Sequence, residues 1–250
     1  MINYIVASVL AIMLGQAMRH IIRRIPEIIE EDNAKELFIA TMKKDFKVDI
    51  ICSIINLVIF NLIIYFLGGS FTSYLYMFVI ASLQVVFAID YKMQLIPDTM
   101  QVILGILGVI NVIYVGITTH SIINILYYII AAVIGGGIFY LLGLLGKIMF
   151  KKDGMGFGDV KLMAALGLVF GIKEILTITL VSFFLSAIIS VILILIRVKQ
   201  MDSYIPFGPF IVIAAIAVMF TGYEFYVNMF VSICMALSNC LTELMYKIMN

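Results

Sequence analysis

Charge is scarce in this sequence. Of its 250 residues only 12% are Asp, Glu, Lys or Arg, against about 25% in a soluble globular domain. The formal net charge is +1, so no broad basic field exists to draw nucleic acid, and none is expected as a partner. Cysteine is almost as rare. Cys52, Cys234 and Cys240 form no C-x-x-C pair and fall in apolar or C-terminal segments, where buried, inert thiols are expected; a disulfide-rich secreted scaffold is excluded. There are two histidines, His20 and His120, and no H-E-x-x-H, which removes the zinc-protease motif. Internal repeats and low-complexity tracts are absent. A cleavable signal peptide is not expected either, because Arg19, His20, Arg23 and Arg24 follow the apolar residues 2–18 instead of preceding them.

What is present is apolar. Hydrophobic residues make up 64% of the chain and the mean hydropathy is +1.18. With about 20 apolar residues needed per bilayer crossing, this is the composition of a polytopic membrane protein. Long apolar runs lie near 2–18, 50–68, 73–90, 99–117, 121–146, 174–196 and 207–222. A shorter run, 160–172, counts as a span if it is helical from Asp159 onward. The tail 223–249 is helical in pattern but carries Glu224, Asn228, Asn239 and Glu243, so it reads either as a last crossing or as a helix lying on the surface. The expected fold is all-α: a bundle of about eight transmembrane helices.

Basic residues orient the bundle. Arg19, Arg23, Arg24, Lys35, Lys43, Lys44 and Lys47 lie in the first loop, and Lys92 in the loop 90–98. Lys147, Lys151, Lys152 and Lys161 lie around 147–161, and Arg197 and Lys199 in 197–206. These fourteen of the sixteen Lys and Arg residues share one face, which is therefore expected to be cytoplasmic, with the N-terminus outside. Two regions follow: residues 1–49, a first span with a short cytoplasmic loop, and residues 50–250, the membrane-embedded remainder. The loop 19–49, about thirty residues with mixed charge, is too small to build an independent core.

Acids at the edge of a membrane span carry information, because lipid makes them expensive. Asp90 ends the run FVIASLQVVFAID and Asp159 opens DVKLMAALGLVFG, on different spans but at the same level. Two packed helices would bring these carboxyls together. Capping is the other reading, and it suits Asp159 at a helix start better than Asp90 at a helix end, where the dipole disfavours an anion. Gly154, Gly156 and Gly158 alternate just before Asp159 and permit close backbone approach; an ordinary flexible loop has the same composition. No Lys-Ser/Thr follows these glycines, so they are not a phosphate-binding loop. Lys161 either favours the ionised form of Asp159 or marks the cytoplasmic edge. Asp98, after Pro97, sits where a helix N-cap is expected, and Asp153 reads as a turn residue. Pro206, Gly208 and Pro209, after Asp202, fix a rigid start to the next span.

These segments resemble a known family. GMGFGDVKLMAALGLVFG resembles the G-x-G-D signature of the type IV prepilin leader peptidases, polytopic aspartyl proteases, and AIDYKMQLIPDTM resembles that family's other aspartate region. IPFGPFI and GQAMRHIIRRIP also resemble family positions, in the right order over most of the chain. The resemblance implies that Asp90 and Asp159 are the catalytic pair; Gly156, Gly158 and Lys161 are read from their own chemistry as shaping the loop or meeting substrate. It implies cleavage of a short basic leader from prepilin-like precursors at the cytoplasmic face of a bacterial cell membrane, with pilus assembly, protein secretion and DNA uptake all open as the process served. Many members also have a larger first loop with two C-x-x-C pairs that bind zinc, and methylate the new N-terminus with S-adenosylmethionine. The loop here has no cysteine, which excludes thiolate-bound zinc at that site. No cofactor is expected; S-adenosylmethionine finds no support in so short a loop.

Two carboxyls suffice for amide hydrolysis. Like charges a few ångströms apart do not both ionise easily, so such a pair shares one proton and supplies a base and an acid together. Two other classes are open on these residues: a proton-coupled transporter, in which membrane acids mark an ion path, and a non-catalytic membrane subunit.

Overall fold

The computed structural model describes residues 1–28, 46–150, 156–196 and 206–249. Among these there are eight α-helices and no strands: α1 (Ile2–Ile28), α2 (Phe46–Leu67), α3 (Phe71–Met93), α4 (Asp98–Thr119), α5 (Ile122–Phe150), α6 (Phe157–Phe170), α7 (Ile172–Leu195) and α8 (Gly208–Met249). Five contain stretches long and apolar enough to cross a bilayer: Phe71–Met93, Asp98–Thr119, Ile122–Ile148, Ile172–Leu195 and Gly208–Ala236. Ile2–Met18 and Ser53–Leu67 are shorter apolar stretches. Unlike a soluble protein, the bundle is apolar on its outer face as well as in its core. Phe184, Ile188, Val191 and Leu195 of α7, for example, are exposed on its outer face. The protein is an all-α membrane helix bundle.

Chain punctuation follows local chemistry. Ser70 caps α3, its Oγ accepting the Ser73 N–H at 3.3 Å. Gln94 ends the same helix in the left-handed conformation and returns its N–H to the Asp90 carbonyl at 2.9 Å. Gly171, at φ +92°, stops α6 and starts α7 with no intervening loop. Gly222, at φ +73°, breaks α8 between its buried first part and the tail.

Two boundaries differ from expectation. α1 runs on to Ile28 and α2 begins at Phe46, so the loop expected over 19–49 narrows to residues outside the described ones. A hydropathy run marks where a helix can meet lipid; Arg and Lys are good helix formers and let it continue beyond. Cys234 is also exposed, not buried, because the α8 tail turns that face outward. The side chains of Cys52 and Cys240, together with Asp153, Gly154 and Asp202, lie outside the described residues.

α3 is the central helix. It packs against α1, α2, α4 and α8, and buries Met77, Ile80, Leu83 and Ile89. α6, only 14 residues long, lies against α4, α5 and α7. At about 1.5 Å per residue it reaches about 21 Å, short of a hydrocarbon core of about 30 Å. Its close seam with α5 is made by absent side chains. A Cβ on Gly167 would lie 2.6 Å from the Ala131 backbone, and one on Gly135 2.8 Å from the Met163 carbonyl. α3 and α6 therefore approach each other chiefly through α4, which packs on both.

Candidate active site

Asp90 lies in the last turn of α3 and Asp159 in the first turn of α6. Each is 5% exposed. The two carboxyls lie close enough that Asp159 feels the charge of Asp90. Asp90 Oδ2 and Asp159 Oδ1 are both buried without a hydrogen-bond partner. Such atoms are costly in a bundle core and rare in native interiors; Asn56 and Glu174 each keep one as well, but here two lie on neighbouring carboxyls.

Local backbone geometry sets each carboxyl. Gly156 is the N-cap position of α6 and accepts the Asp159 N–H at 3.1 Å. Asp159, three residues on, turns its carboxyl back toward the Gly156 N–H, as the acidic partner of a capping box does. A helix-start role and membership of the pair are thus compatible for Asp159. Gly158 admits no larger residue cheaply, since a Cβ would stand 3.1 Å from Ile96 Cβ and 3.3 Å from Gln101 Nε2.

Asp90 is served from the far end of the sequence. Gly208, the first residue of α8, presents its backbone N–H toward the Asp90 carboxyl, although Oδ2 itself keeps no bond. A Cβ on Gly208 would fall 2.5 Å from Asp90 Oδ2. Rings hold this helix start in place: Phe207 packs on Phe183 of α7 at 5.1 Å and on Phe139 of α5 at 5.7 Å. The dipole penalty expected for an anion at the end of α3 is offset by the N-terminus of α8.

Asp98 and Lys161 depart from expectation. Pro97, not Asp98, occupies the cap position of α4, and no side-chain capping bond forms. Asp98 is the first helical residue; its Oδ1 instead accepts from Lys161 Nζ at 2.7 Å, across to α6. Lys161 is therefore committed to Asp98, not Asp159, and its ammonium also stands 5.3 Å from the Phe157 ring centroid. Both side chains are largely solvated, at 43% and 76% exposed, so the pair is worth about 0–1 kcal/mol.

Sequence reading did not single out Gln101. This side chain, 6% exposed, donates from Nε2 to the Ile96 carbonyl at 3.3 Å and the Gly158 carbonyl at 3.2 Å. Its only sequence signal is a long polar residue one turn into an apolar helix. Asn111, nearly three turns further on, similarly donates to the Val169 carbonyl at 3.0 Å and ties α4 to the other end of α6.

The fold and the site together define a polytopic helical membrane protein with a buried pair of carboxyls at one end of the bundle. Residues 77–191, the segment that carries both aspartates, match the type IV leader peptidase family. Curated relatives include proteins named prepilin leader peptidase/N-methyltransferase. That of Xanthomonas campestris is 33% identical over 138 residues, which are 54% of this chain and 45% of the relative. That of Pseudomonas putida is 35% identical over 142 residues, 56% of this chain and 47% of the relative. That of Legionella pneumophila is 36% identical over 138 residues, 54% and 45% respectively. The chain spans about half the length of these relatives. No solved structure matches it.

Proposed function

We propose that this protein is a membrane aspartyl endopeptidase that removes the short basic leader from prepilin-like precursors, with Asp90 and Asp159 as its catalytic residues. The observation that carries the reading is the burial of both carboxyls at one end of the bundle, near enough for the charge of one to act on the other, each with an unpartnered oxygen. The family match and the relatives' names supply the substrate class. One carboxylate takes a proton from water as its oxygen attacks the scissile carbonyl carbon. The other, protonated, hydrogen-bonds the carbonyl oxygen and then delivers its proton to the leaving nitrogen as the C–N bond breaks. The pair ends with one proton, as it began, and which residue plays which part is a property of the pair as a whole.

The site is assigned to the cytoplasmic face of the bacterial cell membrane, with the N-terminus outside. Lys92, Lys147 and Lys161 lie at the carboxyl end of the bundle, which supports that orientation. A substrate's apolar helix then stays in lipid while its basic leader remains in the cytoplasm, and the bond between them comes level with the pair. Carboxyls at one end, and not at mid-bundle, favour hydrolysis over a proton path. The assigned activity uses no metal and no cofactor; methyl transfer is not part of it.

The test is incubation of the purified protein in detergent with a prepilin-like precursor, with and without S-adenosylmethionine, followed by intact-mass measurement. A leader-sized mass loss is expected in both. Asp90→Asn and Asp159→Asn should each abolish it while the protein still inserts in the membrane. Cleavage at the normal rate by either variant overturns the assignment, and an added methyl mass would extend the activity beyond what is proposed.

A further inference from the structure

Asp90 and Asp159 belong to helices that meet through Tyr76 and Phe170, rings 5.5 Å apart at the ends away from the aspartates, so something else must fix the distance between the carboxyls. α4 touches both helices, and its first turn holds Gln101. One nitrogen of this side chain reaches both neighbouring segments. Nε2 donates to the carbonyl of Ile96, in the link that leaves α3 after Asp90, and to the carbonyl of Gly158, the residue before Asp159. Its two protons are thereby both spent. The amide oxygen is buried and has no partner. For stability alone this is a mixed choice, since the two bonds it makes are set against the cost of its own orphaned acceptor. The other link between the two first turns, Asp98 with Lys161, is solvated and cannot set a distance firmly. Gly158 completes the arrangement, because a Cβ there would push on both Ile96 and the Gln101 amide.

We infer that Gln101 is a positioning residue for the carboxyl pair, a two-pronged amide clamp that holds the Asp159 helix start against the link that follows Asp90. It touches neither reacting atom and acts through two backbone carbonyls. The inference rests on the peptidase reading for its kinetic consequence but not for its geometric one.

Gln101→Met keeps the volume and removes both donors; Gln101→Glu keeps the shape, and its carboxyl cannot serve both carbonyls. With a precursor peptide as substrate, Gln101→Met should lower kcat about 10- to 100-fold, as a displacement of about 1 Å does, and leave KM within about twofold. A clamp also sets how strongly the two carboxyls couple. Infrared titration of carboxyl bands in the purified protein, assigned by difference against Asp90→Asn and Asp159→Asn, reads that coupling without any turnover. The two titration steps should draw together in Gln101→Met and stay apart in Asp98→Asn, which disturbs only the solvated pair. Wild-type spacing of the steps in Gln101→Met overturns the inference, whatever the activity does. So does a fall in kcat matched by an equal fall in Asp98→Asn, because either link would then serve. An inactive wild type with clearly coupled carboxyls would instead sink the peptidase reading and leave the clamp standing.

Discussion

Gly208 shows how one residue governs another that is far away in sequence. Its φ is not in the left-handed region and it opens a helix, where alanine is the better helix former, so backbone preference alone does not require glycine. What requires it is Asp90 Oδ2, 2.5 Å from where a Cβ would stand. Gly208→Ala therefore leaves the start of α8 intact and forces the Asp90 carboxyl to swing away from the Gly208 N–H. The expected result is a loss of precursor cleavage of about 100-fold with no drop in unfolding temperature, the cost of a misplaced group and a lost backbone donor. Normal cleavage by this variant would mean that Asp90 has another stable position that works equally well. At this scale the sequence was partly legible. An acid at the edge of a span is visible as an anomaly, and Asp90 and Asp159 stand out on that ground. Gly208 and Gln101 do not, because what defines them is a backbone atom contributed by a distant segment. Asp98 misled for a related reason: its cap position was inferred from Pro97, while the partner that draws its side chain away, Lys161, sits on another helix.

At the level of the helix, length and hydropathy located α3, α4, α5 and α7 to within a few residues, because lipid enforces a long uninterrupted apolar run. They did not locate the end of α1 or the start of α2, which extend into charged sequence that helices tolerate. Nor did they reveal how α6 seats itself. Its seam with α5 is written in glycines, and a missing side chain leaves no periodic signal in an apolar run. Two helical glycines in opposite surroundings separate packing from propensity. A Cβ on Gly167 would meet Ala131 and Ala132 backbone atoms at 2.6 Å, whereas one on Gly105, inside α4, meets nothing within 4 Å. Gly167→Ala should destabilise the protein by about 1–3 kcal/mol, because backbone cannot rotate out of the way. Gly105→Ala should stabilise it by about 0.5–1 kcal/mol, since the change only stiffens the helix. Unfolding of both variants in the same detergent decides the matter, and shifts of the same sign would remove the close seam from the account of the fold.

Over the whole molecule, the two ends of the bundle differ in chemistry. One gathers the buried carboxyls, the α3–α4 link and the starts of α6 and α8. At the other, Lys173 donates its backbone N–H to the Tyr127 hydroxyl and its Nζ to Tyr223, both at 3.1 Å, beside the α4–α5 link. On the peptidase reading the first end must be the one that meets a precursor whose basic leader is still in the cytoplasm, a topological consequence that needs no turnover to check. Leu95 lies in the link beside the carboxyls and Thr119 at the opposite end of α4; both are exposed and neither touches the pair. With Cys52, Cys234 and Cys240 changed to Ser, Thr119→Cys should react with a membrane-impermeant thiol reagent in intact cells. Leu95→Cys should react only after the inner membrane is made permeable. The reverse pattern would put the carboxyls on the outer face, away from uncleaved leaders, and the charge asymmetry of the loops would then have been read with the wrong sign. Labelling of both positions in intact cells would be inconsistent with α4 as a crossing at all, and with it the arrangement in which α4 carries Gln101 between the two aspartates.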